Sequence, residues 1–323
     1  MATKVSIIIV SWNVKAELSS CIDSIYKSQT LFSYEIIVVD NASSDDSVFY
    51  LKKNHPKIKV IANNDNLGFG RANNQAAEHA EGEYLFILNP DTVLLPSTLD
   101  KLVSFMDTNE DVAICGPCVL YEDGSLQKSV KGFPTLKGAF GRHTIFKFFG
   151  LFRTDVRRWR NRDFDYAKNS DVDQLIGAAL LIRRAVFEKH NGFDEQFFMY
   201  YEEVDLCCRI KEAGCRVSYY PKAEMIHLGG RSSKQVFAKK KFMMMQSLVL
   251  YLKKHNKSPW TFVLLPLFKL GVLNLQVFEW IYSLVSYVIF TLFFYQKGAD
   301  KWKSKFKNKH ALLTKYSLDF LWT

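Results

Sequence analysis

Four apolar runs in this sequence end in polar groups able to hold a ligand: Ser11-Trp12-Asn13, Asp40-Asn41, Asn63-Asn64 and Asn89-Pro90-Asp91. An Asp or Asn directly after a strand meets a hydroxyl, a base N–H or a cation, or else merely caps the helix that follows. One such end is ordinary. Four in series make a ligand site the better reading. A further cluster, Tyr201-Glu202-Glu203-Val204-Asp205, sets three carboxylates at a predicted helix start, directly after the aromatic residues 197–200. The helix dipole favours acids there, and crowding in a half-buried cleft raises the pKa of at least one of them. Glu202 and Asp205 share a helix face at i,i+3, so Glu203 points elsewhere. His227 closes the series after another apolar run.

The stretch Asn66-Leu67-Gly68-Phe69-Gly70-Arg71 opens a predicted helix. Backbone N–H groups at a helix start, with a cation beside them, suit a phosphate-bearing ligand. A dinucleotide fingerprint needs its glycines after the first strand, and none stands there. A Walker lysine motif is absent too. Cys115-Gly-Pro-Cys118 spells a redox motif, but it lies within a strand pattern, whereas a redox pair should open a helix. A zinc site from Cys207, Cys208, Cys215 and His227 fails on spacing.

The elements that must position these groups alternate. Strands are predicted over 5–10, 35–40, 57–62 and 84–88, with helices over 15–28, 45–54 and 69–80. That order makes a parallel sheet with covered faces, whose ligands bind beyond the carboxyl ends of the strands. A second block, from about 172 to 233, holds a buried strand over 174–182 broken by Gly177, a mark of close backbone approach. The chain has 323 residues, 48% apolar and 24% charged, as in an ordinary folded protein. Its net charge of +10 predicts an anionic partner. Six cysteines are too sparse for a disulfide scaffold. The apolar run over 5–10 is too short for a signal peptide core, so the N-terminal part is expected in the cytoplasm.

Taken together, these motifs resemble family 2 glycosyltransferases of the GT-A fold, and within them a bacterial rhamnosyltransferase-like group. The resemblance runs from about Lys4 to Ser233. It implies an α/β, Rossmann-like, mostly parallel catalytic domain over 1–233, with a basic and aromatic insert at about 131–171. It also implies inverting transfer of a sugar, with rhamnose suggested by the group, from a nucleotide-sugar to a lipid-linked or polysaccharide acceptor in cell-surface glycan synthesis. Asp91 stands at the last position of the family's DxD-like motif and His227 matches a family histidine, so both are implied ligands of Mn²⁺ or Mg²⁺. Ser11, Trp12, Asn13, Asp40, Asn66, Gly68, Arg71, Asn89, Gly177 and Glu202 form the implied nucleotide-sugar set. Glu203 stands at the family's base position where an Asp is usual, and Asp205 is the second candidate.

The insert carries Arg142, Phe148, Phe149, Arg157, Arg158 and Trp159, as an acceptor-side flap or a solvated loop would. Residues 260–275 and 277–295 are strongly apolar and precede a run of Lys297, Lys301, Lys303, Lys305, Lys307 and Lys309. The region 234–323 is therefore expected to be helical and membrane-associated, with a polybasic tail and the catalytic domain on the cytoplasmic face. Spanning, re-entrant and interfacial arrangements all stay open. A nucleic-acid partner is excluded because much of the charge lies beside apolar segments and no binding motif appears. The alternatives are a catalytically inactive nucleotide-sugar-binding homologue and a nucleotidyltransferase.

Overall fold

The computed structural model describes residues 3–28, 30–229, 237–293 and 296–322. The chain forms two compact units, 1–133 with 161–232 and 134–160 with 233–323. The first unit opens as the alternating pattern predicts: β1 (Val5–Ser11), α1 (Lys15–Lys27), β2 (Tyr34–Asp40), α2 (Ser47–Asn54), β3 (Lys59–Ala62), α3 (Phe69–Ala77) and β4 (Tyr84–Leu88). There follow β5 (Thr92–Leu94), α4 (Thr98–Thr108), β6 (Val112–Leu120) and β7 (Val130–Lys131). The second unit interposes α5 (Leu136–His143) and α6 (Arg153–Arg160). The first unit then resumes with β8 (Ser170–Asp171), β9 (Gln174–Leu175), β10 (Ala179–Arg183), α7 (Arg184–Lys189), α8 (Glu202–Glu212) and β11 (Arg216–His227). The second unit ends with α9 (Phe237–His255), α10 (Thr261–Phe293) and α11 (Gln296–Trp322).

The main sheet has the order β3-β2-β1-β4-β10-β6-β11-β5, with β8 paired to β11. The β1–β2, β1–β4, β2–β3 and β6–β11 pairs are parallel, while β10 enters antiparallel between β4 and β6. Successive residues of β1 face opposite ways: Ile7 and Ile9 enter one apolar core and Ile8 the other. Helices cover both, which is why β1 and β4 read as uninterrupted apolar runs. The α/β class expected from the sequence is the one observed.

Some boundaries differ for local reasons. The α2 helix starts at Ser47, because the Asp45 carboxylate accepts from the Lys15 and Ser47 backbone N–H groups ahead of it. The α3 helix stops at Ala77, where His79 and Ala80 turn back on Ala76 and Ala77. The strand expected over 174–182 is two strands. β9 pairs with β7 in a separate two-stranded sheet, and β10 joins the main one. Cys115 and Cys118 both lie on β6, and burial pushes the Cys115 thiol up.

The two apolar runs expected over 260–295 form one helix, α10, from Thr261 to Phe293 with Pro266 inside it. The lysine run is likewise no tail. Its residues lie in α11, which folds back along α10. The central part of the expected insert, 134–160, groups with the C-terminal helices. The expected boundary at 233/234, and the Gly230-Arg231-Ser232 stretch after His227, lie outside the described residues.

Candidate active site

The parallel pairs make β1, β2, β3, β4, β6 and β11 end at one edge of the sheet, and the expected site residues gather there. Ser11 and Asp40 face each other in the β1–β2 register, and both are buried. Asp40 Oδ1 accepts from the Ser43 N–H at 2.8 Å. Asp40 Oδ2 and Ser11 Oγ are enclosed without a hydrogen-bond partner among the described residues. Neighbouring buried polar atoms left open are costly, and a ligand bearing hydroxyl or N–H groups would satisfy them. Trp12, 40% exposed, stands at the rim. Asn13 takes positive φ, and its Oδ1 accepts from Ser44 N–H at 2.7 Å, so it shapes the turn that carries Ser43.

The glycine loop is held from two sides. Asn66 Oδ1 accepts from Gly68 N–H at 3.0 Å, and Asn41 Nδ2 donates to the Gly68 carbonyl at 3.0 Å. Phe69 N–H donates to the Phe198 carbonyl at 3.0 Å, tying the loop to the aromatic segment before α8. Gly68 has φ +85°, and a Cβ there would collide with that carbonyl, so glycine is required twice over. Arg71 is mostly exposed and lies 3.5 Å from Glu195, which turns it toward the rim of the loop. Asn89 is fixed through its backbone, its N–H donating to the Ala178 carbonyl at 3.0 Å.

Asp91 and His227 come together although 136 positions separate them: the β5–β11 register sets His227 opposite Thr92. His227 Nε2 lies 3.3 Å from Asp91 Oδ1, and both side chains are largely buried. His227 Nδ1 is 2.7 Å from Gln127 Oε1. With Nδ1–H donating to Gln127, Nε2 faces a carboxylate oxygen; as a neutral imidazole it can share a cation with Asp91, and as an imidazolium it pairs with Asp91 directly. One oxygen and one nitrogen donor suit Mn²⁺, and an outer carboxamide fixing the imidazole is the usual support for such a ligand. The donor set therefore fits the metal that the resemblance implies.

The acidic cluster opens α8 after Tyr200 and Tyr201, both at φ 71°. Two successive side-chain-bearing residues in the left-handed region are strained, and this bend swings the helix start onto the sheet edge. Glu202 is buried, its Cβ passing near Gly70, with Oε2 unpartnered among the described residues. Burial, and then the charge of Glu203, push its pKa well up. Glu203 is half-buried and also raised by burial, but the Lys131 ammonium acts in the opposite direction. Both acids of the pair are thus raised by burial, and the Glu203 charge raises Glu202 further. Gly177 lies beneath Glu203, and a Cβ there would stand 3.7 Å from the Glu203 side chain. The expected close backbone approach at Gly177 is thus a side-chain approach with ordinary room.

Asp205 stands in a different setting from the two glutamates. Its side chain is fully buried, and Arg209 Nε donates to it at 2.7 Å while the same guanidinium binds the His190 and Gly192 carbonyls. A carboxylate enclosed in that way positions the 190–192 turn and is unavailable as a base. Asp205→Asn is expected to lower unfolding stability by about 3 kcal/mol, as for a broken buried pair, while folded enzyme keeps turnover within a few-fold. Urea unfolding with kinetics on the folded fraction checks this; intact stability with lost turnover would restore Asp205 as the base.

Sequence reading missed Gln127, Lys131 and the Asn41–Asn63–Gln75 hydrogen-bond chain. Of these, Asn41 and Asn63 stood at strand ends, where position alone signalled them.

Comparison with known proteins agrees with this geometry. Residues 6–190 match the model described as glycosyl transferase family 2, and 161–229 match that of an N-terminal domain of galactosyltransferase. An N-acetylglucosaminyl-diphospho-decaprenol L-rhamnosyltransferase of Mycobacterium tuberculosis is 29% identical over 203 residues, covering 59% of this chain and 66% of that protein. Rhamnosyltransferase WbbL of Escherichia coli is 28% identical over 181 residues, covering 53% of this chain and 65% of that protein. The chain thus spans just under two thirds of the length of these relatives. Among solved structures, the mannosyltransferase PcManGT from Pyrobaculum calidifontis, in complex with GDP-Man and Mn²⁺, superposes with TM-score 0.55. That match has 16% identity and covers 100% of this chain and 88% of that one. The fold is therefore GT-A. With a family match spanning the strand ends from Ser11 to Asp91, the chain belongs to glycosyl transferase family 2.

Proposed function

We propose that this protein transfers a sugar, with inversion, from a nucleotide-sugar to a lipid-linked or polysaccharide acceptor at the cytoplasmic face of a membrane, in cell-surface glycan synthesis. The observation that carries the reading is one sheet edge that holds an open polar pair (Ser11, Asp40), a carboxylate–imidazole pair (Asp91, His227) and an acid pair whose pKa values burial raises (Glu202, Glu203). The similarity to rhamnosyltransferases, one of them acting on a diphospho-decaprenol, supports a rhamnosyl donor and a diphospho-lipid acceptor.

Ser11 and Asp40 receive hydroxyl or N–H groups of the nucleoside, and the Asn66–Gly70 loop closes the pocket edge beside them. Asp91 and His227 would hold a divalent cation, which supplies positive charge to the departing diphosphate. Glu203 takes the proton of the acceptor hydroxyl as its oxygen bonds to the anomeric carbon and the glycosyl–phosphate bond breaks. Glu202, when protonated, spares Glu203 a second adjacent charge.

A donor screen tests the reading. The purified full chain, given dTDP-rhamnose and other nucleotide-sugars with membrane lipid extract and Mn²⁺, is expected to release nucleoside diphosphate only when acceptor is present. Binding of a donor with no release under any acceptor would favour the inactive binding homologue instead.

A further inference from the structure

The membrane-facing geometry of the second unit goes beyond the proposed function and rests on its membrane clause. The α10 helix has 33 residues, roughly 50 Å at 1.5 Å per residue, against a hydrocarbon core of about 30 Å. By length and composition it passes as a span, yet only one of its faces is bare. Val263, Leu267, Leu270, Phe278, Val285 and Leu292 are exposed and recur at intervals of three, four or their sums, a single stripe along nearly the whole helix. Apolar side chains form the outward stripe, with Asn274 the exposed polar residue in its middle, while Gln276, Ser283 and Ser286 are buried on the opposite side.

That opposite side is covered by charged helices. The α11 helix runs antiparallel along α10: Trp302 meets Tyr282 and Phe290, Phe306 meets Trp280, Ser317 donates to Gln276 at 3.1 Å, and Lys269 donates to the Leu321 carbonyl at 3.3 Å. Its outer face shows Lys301, Lys303, Lys305, Lys307 and Lys315 to solvent. Near the middle of α10, Glu279 pairs with Lys147 at 2.7 Å, Lys241 at 3.6 Å and Lys309, joining four segments of the unit. If α10 crossed a bilayer, α11 and this ion cluster would cross with it, placing lysines in hydrocarbon, where charges are costly. Phe148, edge-on to Phe278 with ring centroids 5.7 Å apart, and Phe149 extend the apolar surface from the 134–160 segment. Trp260 and Trp322 stand exposed at the end where α10 begins and α11 ends, the residue type that anchors at a membrane interface.

We infer that α10 lies in the plane of a bilayer surface, its outward stripe dipped among the acyl chains of one leaflet, and does not span the membrane. The lysines of α11 lie beyond the covered side of α10, so they stay in water when the stripe is immersed. Trp260 at the start of the stripe, and Phe148 and Phe149 beside it, are side chains suited to the headgroup boundary.

Depth measurement tests this on the full chain. Single cysteines at Val263→Cys, Ile281→Cys and Leu292→Cys, in a Cys215→Ser background, carry an environment-sensitive fluorophore. The protein is bound to vesicles of phosphatidylcholine and phosphatidylglycerol containing lipids with quenchers at shallow or deep positions. All three labels are expected at one shallow depth. A graded depth with Ile281 deepest means a spanning helix and overturns the inference while leaving membrane attachment intact. Absence of any lipid quenching, with dimers in solution, assigns the stripe to a second copy and overturns both. The sugar-transfer reading is judged separately, by nucleotide release.

Discussion

Asp91→Asn is expected to lower kcat by more than a hundredfold and to abolish tight Mn²⁺ binding, with the fold unchanged. Asp91 and His227 are largely buried at one strand end, and Gln127 fixes the imidazole. The substitution keeps the shape and removes the only negative charge of that donor pair. Charge on a departing diphosphate is worth several kcal/mol to neutralise; a loss of roughly 3–4 kcal/mol is more than two decades of rate. EDTA should act on the wild type as the substitution does, and have no further effect on the variant. Mn²⁺ titration followed by electron paramagnetic resonance reads binding independently of turnover. Full turnover in EDTA, or unaltered Mn²⁺ affinity in Asp91→Asn, would remove Asp91 and His227 from that role.

How far the sequence discloses this site follows from which contacts are local. The apolar β1 run and the Asp and Asn at strand ends are visible because strand, turn and helix signals lie within a few residues. Asp91 and Asp40 needed nothing more. The Asp91–His227 meeting depends on β5–β11 register, and Gln127 reaches His227 across 100 positions. No periodicity encodes either. The i,i+3 spacing of Glu202 and Asp205 correctly separated them from Glu203, but not from each other. Only the 190–192 turn, by giving Arg209 two carbonyls, encloses Asp205 and leaves Glu202 without a cation. The glycine at 68 was legible as a turn residue; its second reason, the Phe198 carbonyl, arises from the tertiary approach of α3 to the segment before α8. Likewise, a long apolar segment next to a lysine run reads as span plus tail until α11 is seen folded along α10.

Glu203→Gln is expected to cut kcat by about 10²–10⁴-fold, the usual worth of a general base, with donor affinity nearly unchanged. Glu203 is the half-buried member of the acid pair at the start of α8, its side chain in contact range of Gly177, whereas the nucleoside-directed groups sit at the ends of β1 and β2. Burial raises its pKa above the ordinary carboxylate value of 4.5 and Lys131 pulls it back. The base works ionised, so turnover should rise with pH through an apparent pKa above that value. Lys131→Met removes the opposing charge and should move this acid limb to higher pH, a shift that a purely structural role for Glu203 would not give. Folding responds in the opposite sense. Glu202 and Glu203 both bind protons more tightly in the folded chain, so their contribution to stability is complete below the unfolded carboxylate pKa and is lost as pH rises through the folded values. Glu202→Gln, which fixes the proton in place, should therefore raise stability at neutral pH and keep most of the turnover. The assignment fails if Glu203→Gln transfers sugar at the wild-type rate, or if Glu202→Gln is the inactive variant of the two.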